Sequence, residues 1–344
     1  MPKANSARAK SARWCTTTQS TTFLKPPTIA RTGCNPSITK VKTAQFPFEE
    51  KQSPQFAKST SRNLEKMERV WVDTTMDTLI GQRSELFPVE GLTLVNTSQF
   101  VVDRDGIPLM VFLKGGLKWP LPFDPSERGL EAIKRFIQKS PPPKPKHDDV
   151  RHQGIPHPLG VGVHHLAFWH AIGKAGAAKR QDEPGKGAII SNDICKAAYR
   201  INATIEFMNN FTPITQAVGA LFEQVDYDNY QRYLAQFHQY APTTATKLMH
   251  TTSRNCFLGM AVLTKLRCKP HRDSQDTIDG WVADMAFGDF SGGYLEVPQT
   301  GRMFKLEPGD IIFMRSHILQ HSVSQFTGER YGIVMFSHGS VMKE

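Results

Sequence analysis

Residues 281–336 read WVADMAFGDF SGGYLEVPQT GRMFKLEPGD IIFMRSHILQ HSVSQFTGER YGIVMF. Short apolar, β-branched runs alternate here with turn signals such as Ser291–Gly292–Gly293 and Glu307–Pro308–Gly309. Several short strands at such close spacing predict a sandwich or a jelly roll. The strand candidates from Cys256 onward are Phe257–Leu266, Trp281–Phe287, Gly293–Val297, Met303–Leu306, Asp310–Met314, His317–Val323 and Arg330–Phe336.

The sequence before Cys256 has a different pattern: helical periodicity dominates, and there is one candidate hairpin. Thr93–Val102 and Pro108–Leu113 are strand-like and are separated by the turn sequence Asp103–Gly106. Helical patterns follow over Asp124–Gln138, Val163–Ile172, Ser191–Asn209, Pro213–Val225 and Tyr227–Tyr240. We therefore expect an α+β protein with a C-terminal jelly-roll core and supporting helices before it.

The expected domain boundaries follow from the composition of the N-terminal segment and from this change from helical to strand patterns. Order is expected to begin near Leu64–Trp71, which leaves residues 1–60 as a disordered N-terminal arm. Residues 61–344 are expected to form one domain, in which 61–255 supply the hairpin and helical support and 256–344 supply the core.

The net charge of +10 at pH 7 is concentrated in that arm. Residues 1–48 contain eight of the 42 basic residues and none of the 32 acidic ones, so the remaining chain is close to neutral. Three interpretations stay open for the arm: contact with phosphates or acidic partners, a solvated tail, or an organellar transit peptide.

Other features of the composition exclude several classes of protein. No apolar run approaches the ~18 residues that a membrane-spanning helix needs. The five cysteines form no CxxC pair, which argues against a disulfide scaffold or a thiolate zinc site. Because the start also lacks the apolar segment of a secretory signal, we expect an intracellular protein, with the nucleus favoured and an organelle not excluded.

One group of residues in the strand-rich part carries recognisable chemistry. His271 and Asp273 are two positions apart, so on an extended chain their side chains leave the same face. His321 follows Asp273 after 48 positions, on a later strand candidate. Two imidazoles and one carboxylate on one face leave metal coordination positions open, as in non-haem iron(II) oxygenases.

Arg330 opens the last strong strand candidate, nine residues after His321. Its guanidinium can bind a carboxylate through two hydrogen bonds. A keto-diacid that chelates the metal with one end needs such a partner at its other end.

The order of these motifs resembles the double-stranded β-helix core of Fe(II)/2-oxoglutarate dioxygenases. More closely, HRDSQD, GWVADMAFGDFSGGYLEVP, LEPGDIIFMRSHILQHSV and GERYGIVMFSH resemble the fungal branch of the TET/JBP-type oxygenase domain. The resemblance is strong over 256–338, weaker over the preceding helices and hairpin, and absent from the first sixty residues. It implies that His271, Asp273 and His321 bind iron and that Arg330 holds the distal carboxylate of 2-oxoglutarate.

The chain departs from the wider superfamily at one position. Many relatives have a hydroxyl-bearing residue two positions after the arginine, whereas this chain has Gly332. Tyr331, Tyr294 and Ser337 are the alternative sources of a second 2-oxoglutarate contact, and the sequence does not choose among them.

Several other residues favour structural interpretations over functional ones. His317 and His338 fit the ligand pattern less well than His321 does. Arg272 and Asp276 are able to contact substrate, but the favoured interpretations are structural: Arg272 as a solvated or salt-bridged residue and Asp276 as a turn residue. Core packing is expected for Cys195, Cys256, Trp281, Phe287 and Tyr294, tail positions for Cys15 and Cys34, and loop or helix packing, with no second metal site, for His147, His152, His157, His164, His165 and His170.

We therefore expect an enzyme that uses Fe(II), 2-oxoglutarate and O₂. The resemblance implies a methyl-bearing base in nucleic acid, 5-methylcytosine or thymine, as the substrate. The alternatives are the same chemistry on a protein side chain or small molecule, and a catalytically inactive nucleic-acid-binding module.

Overall fold

A computed structural model of the chain describes residues 54–121, 123–145, 151–152, 158–170, 188–240 and 255–342. Most of the predicted arm, including Cys15 and Cys34, lies outside the described residues. Helix α1 begins at Pro54, about ten residues before order was expected. Thr60 and Leu64 explain this early start, since they lie one helical turn apart and are both buried.

The described residues form six α-helices and thirteen strands. The helices are α1 Pro54–Glu65, α2 Met76–Gly81, α3 Pro125–Lys139, α4 Asn192–Cys195, α5 Ala198–Val225 and α6 Tyr227–Tyr240. The strands are β1 Glu68–Trp71, β2 Thr93–Val95, β3 Gln99–Val102, β4 Pro108–Leu113, β5 Gly162–His170, β6 Ala188–Ile190, β7 Gly259–Thr264, β8 Val282–Gly292, β9 Leu295–Val297, β10 Arg302–Phe304, β11 Ile311–Met314, β12 Ser322–Val323 and β13 Phe326–Phe336.

The strands form two sheets. The larger has nine strands in the order β1-β3-β4-β11-β8-β13-β7-β5-β6, and the smaller has four in the order β12-β9-β10-β2. Strand β13 pairs antiparallel with both β8 and β7. From β8 onward the chain crosses repeatedly between the sheets, since β8, β11 and β13 lie in the larger sheet and β9, β10 and β12 in the smaller one. The two sheets enclose a shared apolar interior, which is the expected jelly-roll arrangement.

The larger sheet has two different faces. Tyr331, Ile333 and Met335 of β13 pack into a core that also contains helix residues. Val334 and Phe336 point the other way, into a second core between the two sheets. This alternation follows from the period of two along a strand, and it separates a helix-covered face from the jelly-roll interior.

Helices α3 and α5 cover the outer face of the larger sheet. Asp124 caps α3 by accepting a hydrogen bond from the Ser126 N–H, and Pro125 occupies the first turn, as predicted. Close approach to the sheet requires Gly129, because an added Cβ would lie 2.3 Å from Phe287 Cε1. No helix in the described residues is both long and apolar enough to cross a membrane.

Helix α5 corrects the prediction of two helices separated at Pro213. The helix runs without a break over Ala198–Val225 and contains that proline. Its inward face is buried on both sides of the proline, at Phe211 and Ile214 for example. Packing of that face against the sheet compensates for the backbone hydrogen bond that proline cannot make.

One helix prediction and two strand predictions also need correction. Val163–Ile172 was expected to be helical, but Gly162–His170 forms β5, which pairs with β7 and β6, because the edge of β7 needs a backbone partner. Thr93–Val102 divides into β2 and β3, which enter different sheets. Within His317–Val323 only Ser322–Val323 is a strand, since the Ile318 and Leu319 N–H groups donate to the Arg315 carbonyl in a turn.

The predictions for the two core cysteines have different outcomes. Cys256 is buried, as expected. Cys195 is exposed, because Ile194 takes the inward position of the short helix α4.

We predict that His164 makes the folded state sensitive to acid. Its side chain is fully buried beside the Phe136 ring, 4.7 Å away between centroids, and burial lowers its pKa to about 4. Unfolded histidine takes up a proton near pH 6.5, so stability falls as the pH drops from about 6.5 to 4, by roughly 3 kcal/mol. Urea unfolding at several pH values measures this slope.

The variant His164→Leu should unfold with a flatter pH dependence across that range than the wild type. His238→Leu is the control, because His238 is exposed. An unchanged slope in His164→Leu would contradict the assignment.

Candidate metal centre and co-substrate pocket

The three predicted ligands are brought together by one short backbone bridge. His271 and His321 form an isolated antiparallel pair. The His271 N–H donates to the His321 carbonyl over 3.0 Å, and the His321 N–H donates back over 2.8 Å. Asp273 is held by its own N–H, which donates to the Ser316 carbonyl over 3.1 Å.

The side chains of these residues converge on one point. The Nε2 atom of His321 lies 3.4 Å from Asp273 Oδ2, and the Nε2 atom of His271 lies 3.8 Å from Asp273 Oδ1. One ligand atom from each residue falls within 4.8 Å of the other two. In the part of the chain that the structure describes, no other set of three histidine, cysteine or acidic residues is so arranged.

Both imidazoles are oriented by the backbone. His271 Nδ1 lies 2.7 Å from the Lys269 carbonyl, and His321 Nδ1 lies 3.1 Å from the Leu319 carbonyl. A carbonyl only accepts, so each Nδ1 carries the proton and each Nε2 presents a lone pair to the centre.

The pKa directions suit this arrangement. Burial, with a contribution from the neighbouring His321, lowers the pKa of His271 to about 3 and keeps it neutral. Burial opposes ionisation of Asp273, but the hydrogen bond and charge of His321 outweigh it and lower the carboxyl pKa. Burial likewise opposes protonation of His321, yet Asp273 raises its pKa, so a cation bound between them would take the place of that proton.

This donor set fits a ferrous ion. Two imidazole nitrogens and one carboxylate oxygen suit a borderline divalent metal, and three protein ligands leave coordination positions for a chelating co-substrate and O₂. His271, Asp273 and His321 are thus the residues that would hold the metal.

Arg330 provides an anion site inside the jelly roll. The residue is only 3% exposed, and its Nε has no hydrogen-bond partner among the described residues. The guanidinium lies 5.5 Å from the Phe290 ring centroid and 5.9 Å from that of Phe326. Because a buried guanidinium with an unsatisfied N–H group is costly, a bound carboxylate would satisfy this group.

The interior face beside Arg330 is lined by small residues. Arg330 pairs with Gly288 across to β8, and Gly332 pairs with Ala286. The next pair on this face is Val334 with Asp284, whose pKa burial raises to about 6 while Arg330 opposes the rise. Gly288, Ala286 and Gly332 therefore line the interior face between Arg330 and Asp284.

The structure narrows the source of a second co-substrate contact. The Tyr331 ring packs into the helix-side core, and the Ser337 hydroxyl accepts from the Leu258 N–H, so neither lies beside Arg330 on the interior face. Tyr294 follows Gly293, whose Cα lies against the Arg330 side chain, and remains the candidate among the three. At Gly332 itself an added Cβ would lie 3.6 Å from Arg330 Nη1.

Arg151 is a charged residue at the metal centre that sequence reasoning missed. Its Nη1 lies 3.6 Å from Asp273 Oδ1, and its carbonyl accepts from the Lys269 N–H over 2.9 Å. No sequence pattern links Arg151 to the site, because it lies 120 positions before His271 in a segment without recognisable periodicity.

A second group of side chains next to the metal centre was judged structural from the sequence. Asp276, whose N–H donates to the Asp273 carbonyl, pairs with His338 through an isolated bridge. The His338 ring stacks on Trp169 at 5.2 Å and 15° and lies 5.1 Å from the Phe336 ring. Burial, aided by the nearby Asp273 charge, raises the pKa of Asp276. Polar and flat aromatic groups therefore meet beside the candidate metal ligands.

The remaining histidines and aromatic residues are accounted for elsewhere. His317 uses Nδ1 for the Asp276 carbonyl, 2.8 Å away. Trp281 and Phe287 are buried in the helix-side core, as predicted. Of the six clustered histidines, His164 and His165 lie on β5 and His152 lies against the Arg267 carbonyl, while His147, His157 and the His170 side chain lie outside what the structure describes.

Comparison with known proteins finds a matching family model and a similar curated protein. Residues 191–339 match the Tet_JBP family model, described as the oxygenase domain of the 2OGFeDO superfamily. Tet-like dioxygenase 1 of Naegleria gruberi is 34% identical over 73 residues, which make up 20% of this chain and 22% of that protein. The match therefore spans about a fifth of the length of that curated relative.

A solved structure extends the similarity to the fold. NgTET1 in complex with 5mC DNA superposes with a TM-score of 0.51 at 16% identity, covering 84% of this chain and 91% of that chain. At this identity the likeness concerns the fold alone, and it confirms the jelly-roll prediction.

Residues 191–339 are thus similar to an oxygenase domain of the 2OGFeDO superfamily. The matching family within that superfamily is of the Tet/JBP type, and the match covers less than half of the chain. Members of the superfamily are 2-oxoglutarate- and Fe(II)-dependent, which confirms the two cofactors predicted from the sequence.

We predict that Gly293→Ala weakens 2-oxoglutarate binding. Gly293 has φ +68°, and an added Cβ would lie 2.8 Å from Arg330 Cδ and 2.9 Å from its Nε. The arginine must shift, so we expect a loss of about tenfold in affinity, comparable to one weakened charge-assisted hydrogen bond. Anaerobic titration of the Fe(II)-loaded protein, followed by the visible absorption of the Fe(II)–2-oxoglutarate complex, measures it.

Gly301→Ala is the matched control. Gly301 has a similar φ of +65°, but an added Cβ there meets nothing within 4 Å. Equal losses in both variants would show that backbone strain, and not contact with Arg330, causes the effect.

Proposed function

We propose that the protein is an Fe(II)- and 2-oxoglutarate-dependent dioxygenase that oxidises the methyl group of a base in nucleic acid, 5-methylcytosine or thymine. The observation that carries the proposal is the convergence of His271, Asp273 and His321 with both Nε2 lone pairs facing the centre. The buried Arg330, whose Nε has no hydrogen-bond partner among the described residues, supports a dicarboxylate co-substrate in the same interior.

The metal and the co-substrates would supply the oxidation, and the side chains of the protein would supply binding and orientation. When bound, Fe(II) with 2-oxoglutarate and O₂ supplies the oxidation, in which the co-substrate becomes succinate and CO₂ and a substrate C–H bond is hydroxylated. His271, Asp273 and His321 fix the metal, and Arg330 orients the co-substrate through its distal carboxylate. The apolar walls, including Phe290 and Phe326 around Arg330, exclude water from that end of the pocket.

The group around Asp276 supports a heteroaromatic substrate. Asp276 and His338 offer hydrogen-bonding groups, while Trp169 and Phe336 offer flat apolar surfaces beside them. A base presents the complementary features, a ring face that stacks and an edge of donors and acceptors. The NgTET1 structure with 5mC DNA makes a methylated cytosine the first base to test.

A base inside a duplex must be turned out of the stack to reach such a pocket. Phosphate contacts are needed to hold the strand during that step. We assign this task to the basic N-terminal arm, whose eight cationic residues have no acidic neighbours within residues 1–48. The assignment rests on composition, since residues 1–48 lie outside the described residues.

We predict that the purified protein releases succinate from 2-oxoglutarate only when Fe(II) is present. His271→Ala and Asp273→Ala should each lower this turnover by at least a hundredfold, because two remaining ligands hold the metal poorly. His238→Ala, a change at an exposed histidine of α6, is the matched control. Metal-independent turnover, or none in any form, would reject the enzymatic function and leave the nucleic-acid-binding module.

We predict that a 5-methylcytosine- or thymine-containing oligonucleotide is oxidised in the presence of both cofactors, as read by mass spectrometry of its nucleosides. His338→Phe should lower this oxidation by about tenfold or more, because it keeps a ring against Trp169 but removes the ring nitrogens, worth roughly 1–3 kcal/mol of buried hydrogen bonding. His238→Phe is the exposed control. Oxidation confined to peptide or small-molecule pools would instead support the alternative substrates.

A further inference from the structure

Two side chains next to the metal ligands point away from the metal. Arg272 lies between His271 and Asp273, and Gln320 directly precedes His321. Since neighbouring side chains of an extended chain leave opposite faces, Arg272 and Gln320 reach the outside of the ligand-bearing segments. Both meet the same loop there, residues 83–87, which connects α2 to β2.

Arg272 joins one ligand segment to the other and to the loop. Its Nε donates to the Ile318 carbonyl over 3.0 Å, across to the segment that carries His321. Its Nη1 donates to the carbonyls of Arg83 and Glu85 over 3.0 and 2.6 Å. The guanidinium carbon also lies 5.7 Å from the Phe87 ring centroid.

Gln320 binds the same loop through its amide. Its Oε1 accepts from the Phe87 N–H over 2.8 Å, and its Nε2 donates to the Phe87 carbonyl over 2.7 Å. The side chain is completely buried and satisfies both backbone groups of one loop residue, as a strand neighbour would. The Gln320 backbone N–H is held in turn by Gln299 Oε1 at 3.1 Å.

The ligand segments have little regular structure of their own. Between residues 265 and 281 there is no strand, and the His271–His321 pair is a single isolated bridge. A metal site needs its ligands held within about 0.5 Å and its outer contacts intact. The loop is itself fixed, because Leu79 of α2 is buried in the interior core and β2 pairs with β10.

We propose that Arg272, Gln320 and the backbone of residues 83–87 form a clip that sets the spacing of the metal ligands, with Arg272 and Gln320 as positioning residues. The clip rests on the proposed metal centre. It acts from the outside of the ligand segments, so it determines metal affinity without touching the ion.

The test is Mn(II) binding to the metal-free protein, measured by the loss of the free Mn(II) signal in electron paramagnetic resonance. Arg272→Lys keeps the charge but loses the forked geometry, and Gln320→Glu keeps the shape but cannot donate to the Phe87 carbonyl. Each should weaken Mn(II) binding by about tenfold or more, the usual effect of losing an outer contact. Leu86→Ala, in the same loop with an exposed side chain, is the matched control and should bind like the wild type.

Thermal unfolding of the metal-free variants separates positioning from general stability. A lowered melting temperature with unchanged Mn(II) affinity would show a structural loop contact and overturn the clip. If Gln320→Glu does not fold, the partly exposed Arg272→Lys decides alone. A wild-type protein that binds no Mn(II) and no Fe(II) would overturn the metal centre itself, an outcome distinct from the failure of the clip.

Discussion

The backbone bridge between His271 and His321 is the constraint on which the rest of the site depends. Fifty positions of chain must return to within two hydrogen bonds before the three ligand atoms can meet. The strands between them, β8 to β11, make that return, and β8 and β11 pair with each other in the larger sheet. The fold therefore closes the loop that the metal centre requires, and the ion would bind to ligands already close together.

The two faces of the larger sheet divide stability from function. Its helix-covered face is filled with large apolar side chains, among them Phe211, Phe222 and Phe313. Its interior face carries Arg330 and Asp284, two buried charged groups that a core built for stability alone would avoid. Apolar burial on the helix side offsets the cost of burying these two groups inside the jelly roll.

The jelly roll and the convergence of His271, Asp273 and His321 could be predicted from the sequence because both depend on short, local patterns. An HxD pair on an extended segment and turn sequences such as Glu307–Pro308–Gly309 between β-branched runs can be recognised in a single sequence. The secondary-structure predictions that were wrong depended on tertiary contacts that the local sequence does not show. Gly162–His170 has no local feature that forbids a helix, and it becomes β5 because β7 offers an edge. Pro213 normally ends a helix, yet the packed face of α5 carries the helix past it.

The same limit explains why Asp276 and His338 were interpreted as structural and why Trp169 and Arg151 were not identified. They come from segments far apart in the chain, and only the assembled fold places them around Asp273. The distribution of charge bears on their role. The global excess of positive charge belongs mainly to residues 1–48, whereas the group beside the metal ligands combines acidic, basic and aromatic side chains. On the proposed function, attraction to phosphates and recognition of a base would be separable tasks. Long-range charge would act on any strand, while stacking and directed hydrogen bonds beside the metal ligands would select the ring that reaches the metal.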